Sequence, residues 1–299
     1  MFDSIIIGAG PAGLTAAIYL LRENKKIKII EKETIGGKIA SSSRVDNYPG
    51  FLSISGAHLA DQLYEQVVNL GGNIDIEEAT TIQEDPLRVI TDEGDYLTKS
   101  IIIATGTKYN MLHLEREKEF IGNGISFCTT CDGAFYKDKD VAVVGGSSSA
   151  LINASYLSDI ARTVYLIVRS NRLKGEDIVI KEVLSKKNIV VLYETQIIQY
   201  LGDQDITGVV VRDKDKEKVL DVAGVFLAIG QKPETQEFIN LLDLNLDGYI
   251  SSGEDCYTNI KGVFVAGDVR NKKIRQLTTA VADGTVAAMN VIQYLKEKN

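Results

Sequence analysis

Soft metal ligands are scarce in this chain, which has three cysteines and two histidines in 299 residues. His58 and His113 show no paired spacing, so the close pair Cys128 and Cys131 lacks the two further ligands of a tetrahedral zinc site. An odd, sparse set of cysteines also argues against a disulfide-stapled secreted fold. No apolar run approaches the ~20 residues that span a bilayer. Ser4 to Ile7 is too short for the apolar core of a secretion signal and follows no basic segment. Clustered positive charge is missing as well. The 33 basic residues are dispersed among 41 acidic ones, for a net charge of -8, whereas a phosphate backbone is bound by clustered Lys and Arg. These absences predict a soluble cytoplasmic protein with no membrane partner, no bound metal and no nucleic-acid partner.

What is present is ordinary globular composition, 44% hydrophobic and 25% charged, in a length that suggests two domains of ~150 residues. Two segments share one plan. Ser4 to Ile7, then Gly8 to Gly13, then Leu14 to Leu21 reads as strand, tight turn, helix. Asp140 to Val144, then Gly145 to Ala150, then Leu151 to Ile160 reads the same way. Uniformly apolar, β-branched strands followed by amphipathic helices predict βαβ units and parallel sheets buried on both faces. The fold class is α/β, with one module used twice. Ser100 to Gly106 and Gly224 to Gly230 read as further buried strands, and Thr278 to Leu295 as a terminal helix. No low-complexity linker separates the parts, so short joins are expected near Met111 to Glu115 and near Leu242 to Leu246.

Gly8, Gly10 and Gly13 form G-x-G-x-x-G, with Pro11 and Ala12 between the last two. The first glycine permits the tight turn, the second lets the backbone approach a pyrophosphate, and the third lets helix and strand pack closely. The helix N-terminus then faces the phosphates with unpaired N–H groups. A second strand, Ile27 to Ile30, ends at Glu31 and Lys32, and Glu31 is placed to bond a ribose hydroxyl. This combination predicts a dinucleotide site but does not choose between FAD and NAD.

Cys128-Thr129-Thr130-Cys131 is a C-x-x-C whose thiols can close a small redox disulfide. Asp132 beside it is read either as an acid/base for thiol exchange or as a turn residue before Gly133. Cys256 is expected to be a small apolar filler. Asp243, Asn245, Asp247, Gly248 and Glu254 match the calcium-loop pattern D-x-N-x-D-G-x5-E. The following residues, Cys256 to Asp268, read as loop and strand rather than helix, so a turn joining two strand segments is expected there instead.

In this order, Gly8 to Gly13, Gly36-Gly37, Asp46 to Gly50, Ala104 to Gly106, Cys128 to Gly133, Gly262 to Asp268 and Arg275-Gln276 resemble the low-molecular-weight thioredoxin reductases over essentially the whole chain. The resemblance implies two Rossmann-like, three-layer nucleotide-binding domains, one inserted into the other. The outer domain, 1–112 and 245–299, would bind FAD, and 113–244 would carry the dithiol. It implies FAD contacts from Gly8, Gly10, Pro11, Ala12, Gly13, Glu31, Lys32, Gly37, Lys38, Asn47, Ala104, Thr105, Gly106, Gly267, Asp268, Gln276 and Leu277. Asp268 would hold the ribityl chain. It further implies that Cys131 receives electrons from the flavin, that Cys128 attacks the disulfide of thioredoxin, that Asp132 handles the departing thiol's proton, and that the protein is a homodimer.

The chain departs from this family at the second glycine loop. Where the family has the central glycine of G-x-G-x-x-A, this chain has Ser147, and Ser148, Ile152 and Asn153 replace acids. Val168-Arg169-Ser170 stands where the family clamps a 2′-phosphate with His-Arg-Arg, though Arg172 and Lys174 lie nearby. In this respect the chain is similar to members that lack the NADPH motifs and take electrons from ferredoxin. NADPH binding is therefore not expected. Lys272, Lys273 and Arg275 are read either as a surface for an acidic ferredoxin or thioredoxin or as a solvated loop. Lys38 stands where the family has Gln. The alternatives are an ordinary NADPH- or NADH-dependent thioredoxin reductase, a ferredoxin–NADP oxidoreductase, which would not need the dithiol, and a flavin redox sensor without turnover.

Overall fold

The structure is a computed structural model that describes residues 1–214 and 216–298. It divides into two compact units. The first comprises Met1–Lys108 and Lys232–Asn299, and the second, Tyr109–Gln231, is inserted between them.

In the first unit the isoleucine-rich segments form a parallel sheet. Among the described residues its strand order is Val263–Val265, Ile101–Ile103, Ser4–Ile7, Ile27–Glu31, Ile74–Ile76. The register pairs Ser4 with Ile27 and Ile5 with Ile101. Alternation of side chains explains why these runs are apolar throughout. Ile6, Ile29, Ile102 and Phe264 pack under the helices Pro11–Arg22 and Leu277–Glu297. Ile5, Ile7, Ile30, Ile103 and Val265 face Ile82 and Val89 of a small antiparallel sheet. The result is three layers: helices, parallel sheet, antiparallel sheet.

The second unit repeats this plan. Its parallel sheet runs Ile189–Leu192, Thr163–Ile167, Asp140–Val144, Gly224–Leu227, Ile125–Ser126. Val141, Val143 and Phe226 pack with Leu151, Ala154 and Leu157 of the helix Ser148–Ser158. Ala142, Val144 and Val225 pack with Ile197, Val209 and Val211 of an antiparallel sheet. The two-domain α/β reading thus matches the fold.

Two boundaries differ from expectation. The joins fall at 108/109 and 231/232 rather than at 112/113 and 244/245. The second shift has a clear cause: Phe238 and Leu242 are buried among Ile5, Ile7 and Val265 of the first unit, so this stretch belongs to that core. The glycine-loop helices also start earlier than their apolar periodicity suggested, at Pro11 and Ser148. Pro11 occupies the first helical position, where a missing N–H costs nothing.

Candidate active site

The sequence elements expected to hold a dinucleotide converge at the C-terminal ends of the first unit's strands. Gly8 has φ +105°, and a Cβ there would lie 2.4 Å from the Ala104 carbonyl oxygen. A Cβ on Gly13 would lie 1.9 Å from the Gly8 carbonyl oxygen. Both positions therefore exclude side chains through backbone contact. Gly10 is different. It is the N-cap of Pro11–Arg22 in an extended conformation, and a Cβ there would meet nothing within 4 Å. Gly10 thus lines open space, bordered by Gly37, whose own Cβ would come 3.3 Å from the Gly10 Cα. A Cβ on Gly106 would also point into open space.

Glu31 closes the far end of its strand. Its carboxylate accepts the Ala9 N–H at 2.8 Å and the Glu33 N–H at 2.9 Å, which binds the acid to the turn. Lys32 pairs with Glu234 at 2.6 Å, and the Thr105 hydroxyl donates to the Glu234 carbonyl at 2.6 Å. Gly267 packs on Ala12, where a Cβ would lie 2.9 Å from the Ala12 Cβ. Asp268 follows in the turn Gly267–Val269. Its Oδ2 accepts from Lys38 Nζ at 3.3 Å, while Oδ1 is buried with no hydrogen-bond partner among the described residues. Lys38 Nζ also donates to the Thr107 hydroxyl at 2.6 Å. Burial pushes the Lys38 ammonium below its ordinary pKa, against the pull of Asp268. Asn47 donates to Gln276 Oε1 at 3.5 Å. Gln276 caps the helix that begins at Leu277, reciprocally with Thr279.

FAD fits this recess. An unpaired buried carboxylate oxygen costs free energy unless a donor reaches it, and a polyol hydroxyl is such a donor. The gap over Gly10 at a helix N-terminus suits a pyrophosphate.

In the second unit Cys128 and Cys131 form a disulfide, with Cα atoms 5.2 Å apart. Both cysteines are half-buried. Cys128 caps the short helix Thr129–Asp132. The Cys131 and Asp132 N–H groups donate to the Cys128 carbonyl at 3.2 and 3.0 Å. Ser126 ties the acid to the dithiol: its hydroxyl donates to Asp132 Oδ2 at 2.5 Å and accepts the Cys128 N–H at 3.1 Å. The Thr129 hydroxyl donates to Asn153 at 3.0 Å, anchoring the motif to the glycine-loop helix. Burial, reinforced by the charge of Asp132, pushes the Tyr136 phenol up to about 12. Ser126 did not stand out in the sequence, since an isolated polar residue carries no pattern, and Asn153 stood out only as the replacement of an acid.

The family described as pyridine nucleotide-disulphide oxidoreductase matches residues 2–284. The chain belongs to this family. A Clostridium pasteurianum protein described as "34.2 kDa protein in rubredoxin operon" is 42% identical, covering 99% of this chain and 98% of its own. The thioredoxin reductase of Ureaplasma parvum serovar 3 is 38% identical over 100% of this chain and 98% of its own. The crystal structure of thioredoxin reductase from Streptococcus pyogenes MGAS5005 matches with a TM-score of 0.96 at 33% identity, covering 99% of each chain. The protein is thus an FAD-dependent disulfide oxidoreductase of the thioredoxin reductase type.

Within this family member the two glycine loops can be laid side by side. Gly145 has φ +139°, and a Cβ there would lie 2.5 Å from the Ala228 carbonyl oxygen, as at Gly8 and Ala104. Ala150 is fully buried at the position matching Gly13. Ser147 is the N-cap in the same extended conformation as Gly10, with φ -95° against -75°. The Ser147 side chain is therefore set where Gly10 leaves a gap. The first turn of Ser148–Ser158 has no acid. Val168 is buried, and the Ser170 hydroxyl is spent on the Arg172 carbonyl. Arg169, Arg172 and Lys174 are exposed.

The cationic stretch after Asp268 is only in part a surface. Lys272 Nζ is buried on Asp283 at 2.7 Å. Arg275 lies over the Tyr249 ring at 4.0 Å and donates to the Asp268 carbonyl. Only Lys273 is exposed, so as a three-charge docking patch the stretch is corrected to one cation. Asp283 also accepts from Arg270 at 3.0 Å and from the Gly267 N–H at 3.0 Å. The sequence held a sign of this network: Asp283 interrupts the buried stripe of Ala280 and Ala287. Cys256 is fully buried in the helix-side core, and burial pushes its thiol up to about 12. The calcium-like loop is a turn in which Asn245 Oδ1 accepts the Asp247 and Tyr249 N–H groups, and Glu254 pairs with Arg270.

Proposed function

We propose that this protein is a cytoplasmic, homodimeric thioredoxin-disulfide reductase, and that its electron donor is a ferredoxin or another low-potential one-electron protein. Bound FAD, held by the glycine loop, Glu31 and Asp268, supplies a carrier that takes electrons singly and delivers them in pairs. The Cys128–Cys131 disulfide accepts two electrons and two protons and opens to a dithiol. Asp132 takes the proton of the Cys128 thiol, and the resulting thiolate attacks one sulfur of the thioredoxin disulfide, forming a mixed disulfide and expelling the second sulfur as a thiolate. Asp132 protonates that leaving thiolate. Cys131 loses its proton and attacks Cys128, and the released thioredoxin sulfur takes up a proton, which yields reduced thioredoxin and restores the Cys128–Cys131 bond. The hydrogen bonds through Ser126 support Asp132 in this role, because they hold its carboxylate on the same loop as the attacking cysteine.

The observation that carries the donor assignment is the likeness of the two loops: their N-cap backbones agree, and Ser147 carries a side chain at the position where Gly10 has none. Thioredoxin lies near ~-270 mV and plant-type ferredoxins near ~-400 mV, so transfer from such a donor is downhill. The rubredoxin-operon name of the Clostridium relative is in keeping with an iron-protein partner. Anaerobic stopped-flow mixing with NADPH, NADH and reduced ferredoxin tests this. Slow bleaching of the flavin by both nucleotides and rapid bleaching by ferredoxin are expected. Reduction by NADPH on a catalytic timescale at micromolar affinity would overturn it. A second reading, NADPH dependence, draws on exposed Arg169 and Arg172 in the segment after the strand Thr163–Ile167 and on relatives named thioredoxin reductase.

A further inference from the structure

Lys38 is a half-buried cation set directly against the carboxylate that we assign to the cofactor. Its Nζ lies 2.6 Å from the Thr107 hydroxyl and 3.3 Å from Asp268 Oδ2, and only a third of the side chain is exposed. The other oxygen of Asp268 is buried without a hydrogen-bond partner among the described residues. Lys38 follows Gly37, which packs against Gly10. The ammonium is thus built into the wall of the recess rather than placed on its rim. A lysine held there is disfavoured by burial and by the charge of Arg275, and Asp268 pulls the other way. A neutral Gln or Met would pack at lower electrostatic cost.

We infer that Lys38 is a positioning residue for charge: it raises the reduction potential of the bound flavin by stabilising the negative charge that the cofactor gains. Uptake of two electrons with one proton leaves one added negative charge on the cofactor. A nearby fixed cation in a site of low dielectric lowers the energy of that state relative to the oxidised one. Asp268 alone would do the reverse, since its carboxylate would repel the new charge. Lys38 therefore cancels the carboxylate's effect while leaving one of its oxygens available to a hydroxyl. With a one-electron protein as donor, a raised potential makes each uptake step more favourable, so the cation suits the donor class proposed above. The inference rests on FAD binding in this recess.

The test uses the full-length holoprotein and the variants Lys38→Gln, Lys38→Met and Lys38→Arg. Flavin content, thermal melting and the flavin midpoint potential would be measured, the last by anaerobic dithionite titration against a reference dye. Gln and Met should lower the equilibrium constant for flavin reduction at least tenfold, a fall of ~30 mV for a two-electron couple. Arg should keep it within threefold. A merely structural lysine would move melting but not potential. Unchanged potentials in Gln and Met with FAD still bound would overturn the inference while leaving the flavin site standing. A shift in Arg as large as in Met would also overturn it, because charge would not be the cause. A wild-type protein that holds no FAD would defeat the flavin site itself.

Discussion

At the scale of single residues, the three glycines of the first loop answer to different demands, as their positions in the motif imply. Gly13 is required by the fold, because a Cβ would overlap the Gly8 carbonyl at 1.9 Å. Gly10 is required only by what binds, because its backbone is extended and its Cβ direction is open. Gly10→Val should therefore give a folded protein, with circular dichroism and melting close to those of the flavin-stripped wild type, that binds no FAD. Gly13→Val should be destabilised by about 3 kcal/mol or more through overpacking, measurable in urea unfolding. A Gly10→Val protein that binds FAD normally would remove the pyrophosphate from this gap. The two cysteines are also distinguishable. Cys128→Ser should keep a reducible flavin, lose thioredoxin turnover, and show a long-wavelength absorbance band from the Cys131 thiolate. Cys131→Ser should lose both band and turnover. Exchanged behaviour would reverse the roles proposed for them.

At the scale of elements, the C-terminal helix does more than cover the sheet. Asp283 lies on its buried face and draws Arg270, Lys272 and the Gly267 N–H onto one carboxylate, which fixes the turn carrying Asp268. Burial alone would raise the pKa of Asp283, and the bonds from Arg270 and Lys272 outweigh it, so the folded value lies below the ordinary one. A carboxyl with a depressed folded pKa contributes stability that is complete above its unfolded value, ~3.9, and is lost as pH falls through the folded value. Asp283→Asn should cost about 3 kcal/mol near neutral pH, because it leaves two buried cations without their shared carboxylate. The gap to wild type should narrow below pH ~4 in chemical-denaturation series. A gap independent of pH would assign the cost to packing instead. The strands and both glycine-loop helices were legible in the sequence because their apolar period is local. Asp283 was not read as structural, because its partners lie 11 and 13 residues before it in the chain.

At the scale of the whole molecule, each unit has its own core: helix-side and antiparallel-side clusters in the first and a second such pair in the other. A ligand that binds only the folded first unit stabilises that unit, by ~2.7 kcal/mol at a hundredfold excess over Kd. Removing FAD should thus speed hydrogen exchange in the sheet of residues 4–7, 27–31 and 101–103, and leave the strands 140–144 and 163–167 within about threefold. Equal acceleration in both sets would mean that the two units share one cooperative transition.

Local demands, then, were set by the sequence itself. A strand buried on both faces must be apolar at every position, a turn at φ +105° must be glycine, and two cysteines three apart can meet within one turn. Such requirements act over a few residues and leave their mark in spacing. What only the tertiary structure decided concerns charges and boundaries. Lys272 turned inward, Arg275 lay down on Tyr249, and Lys38 met Asp268. Residues 232–244 joined the first unit because Phe238 and Leu242 found their apolar neighbours there. Whether a charge is solvated or paired, and which core an apolar side chain joins, depends on groups far away along the chain, and only folding brings those groups within reach.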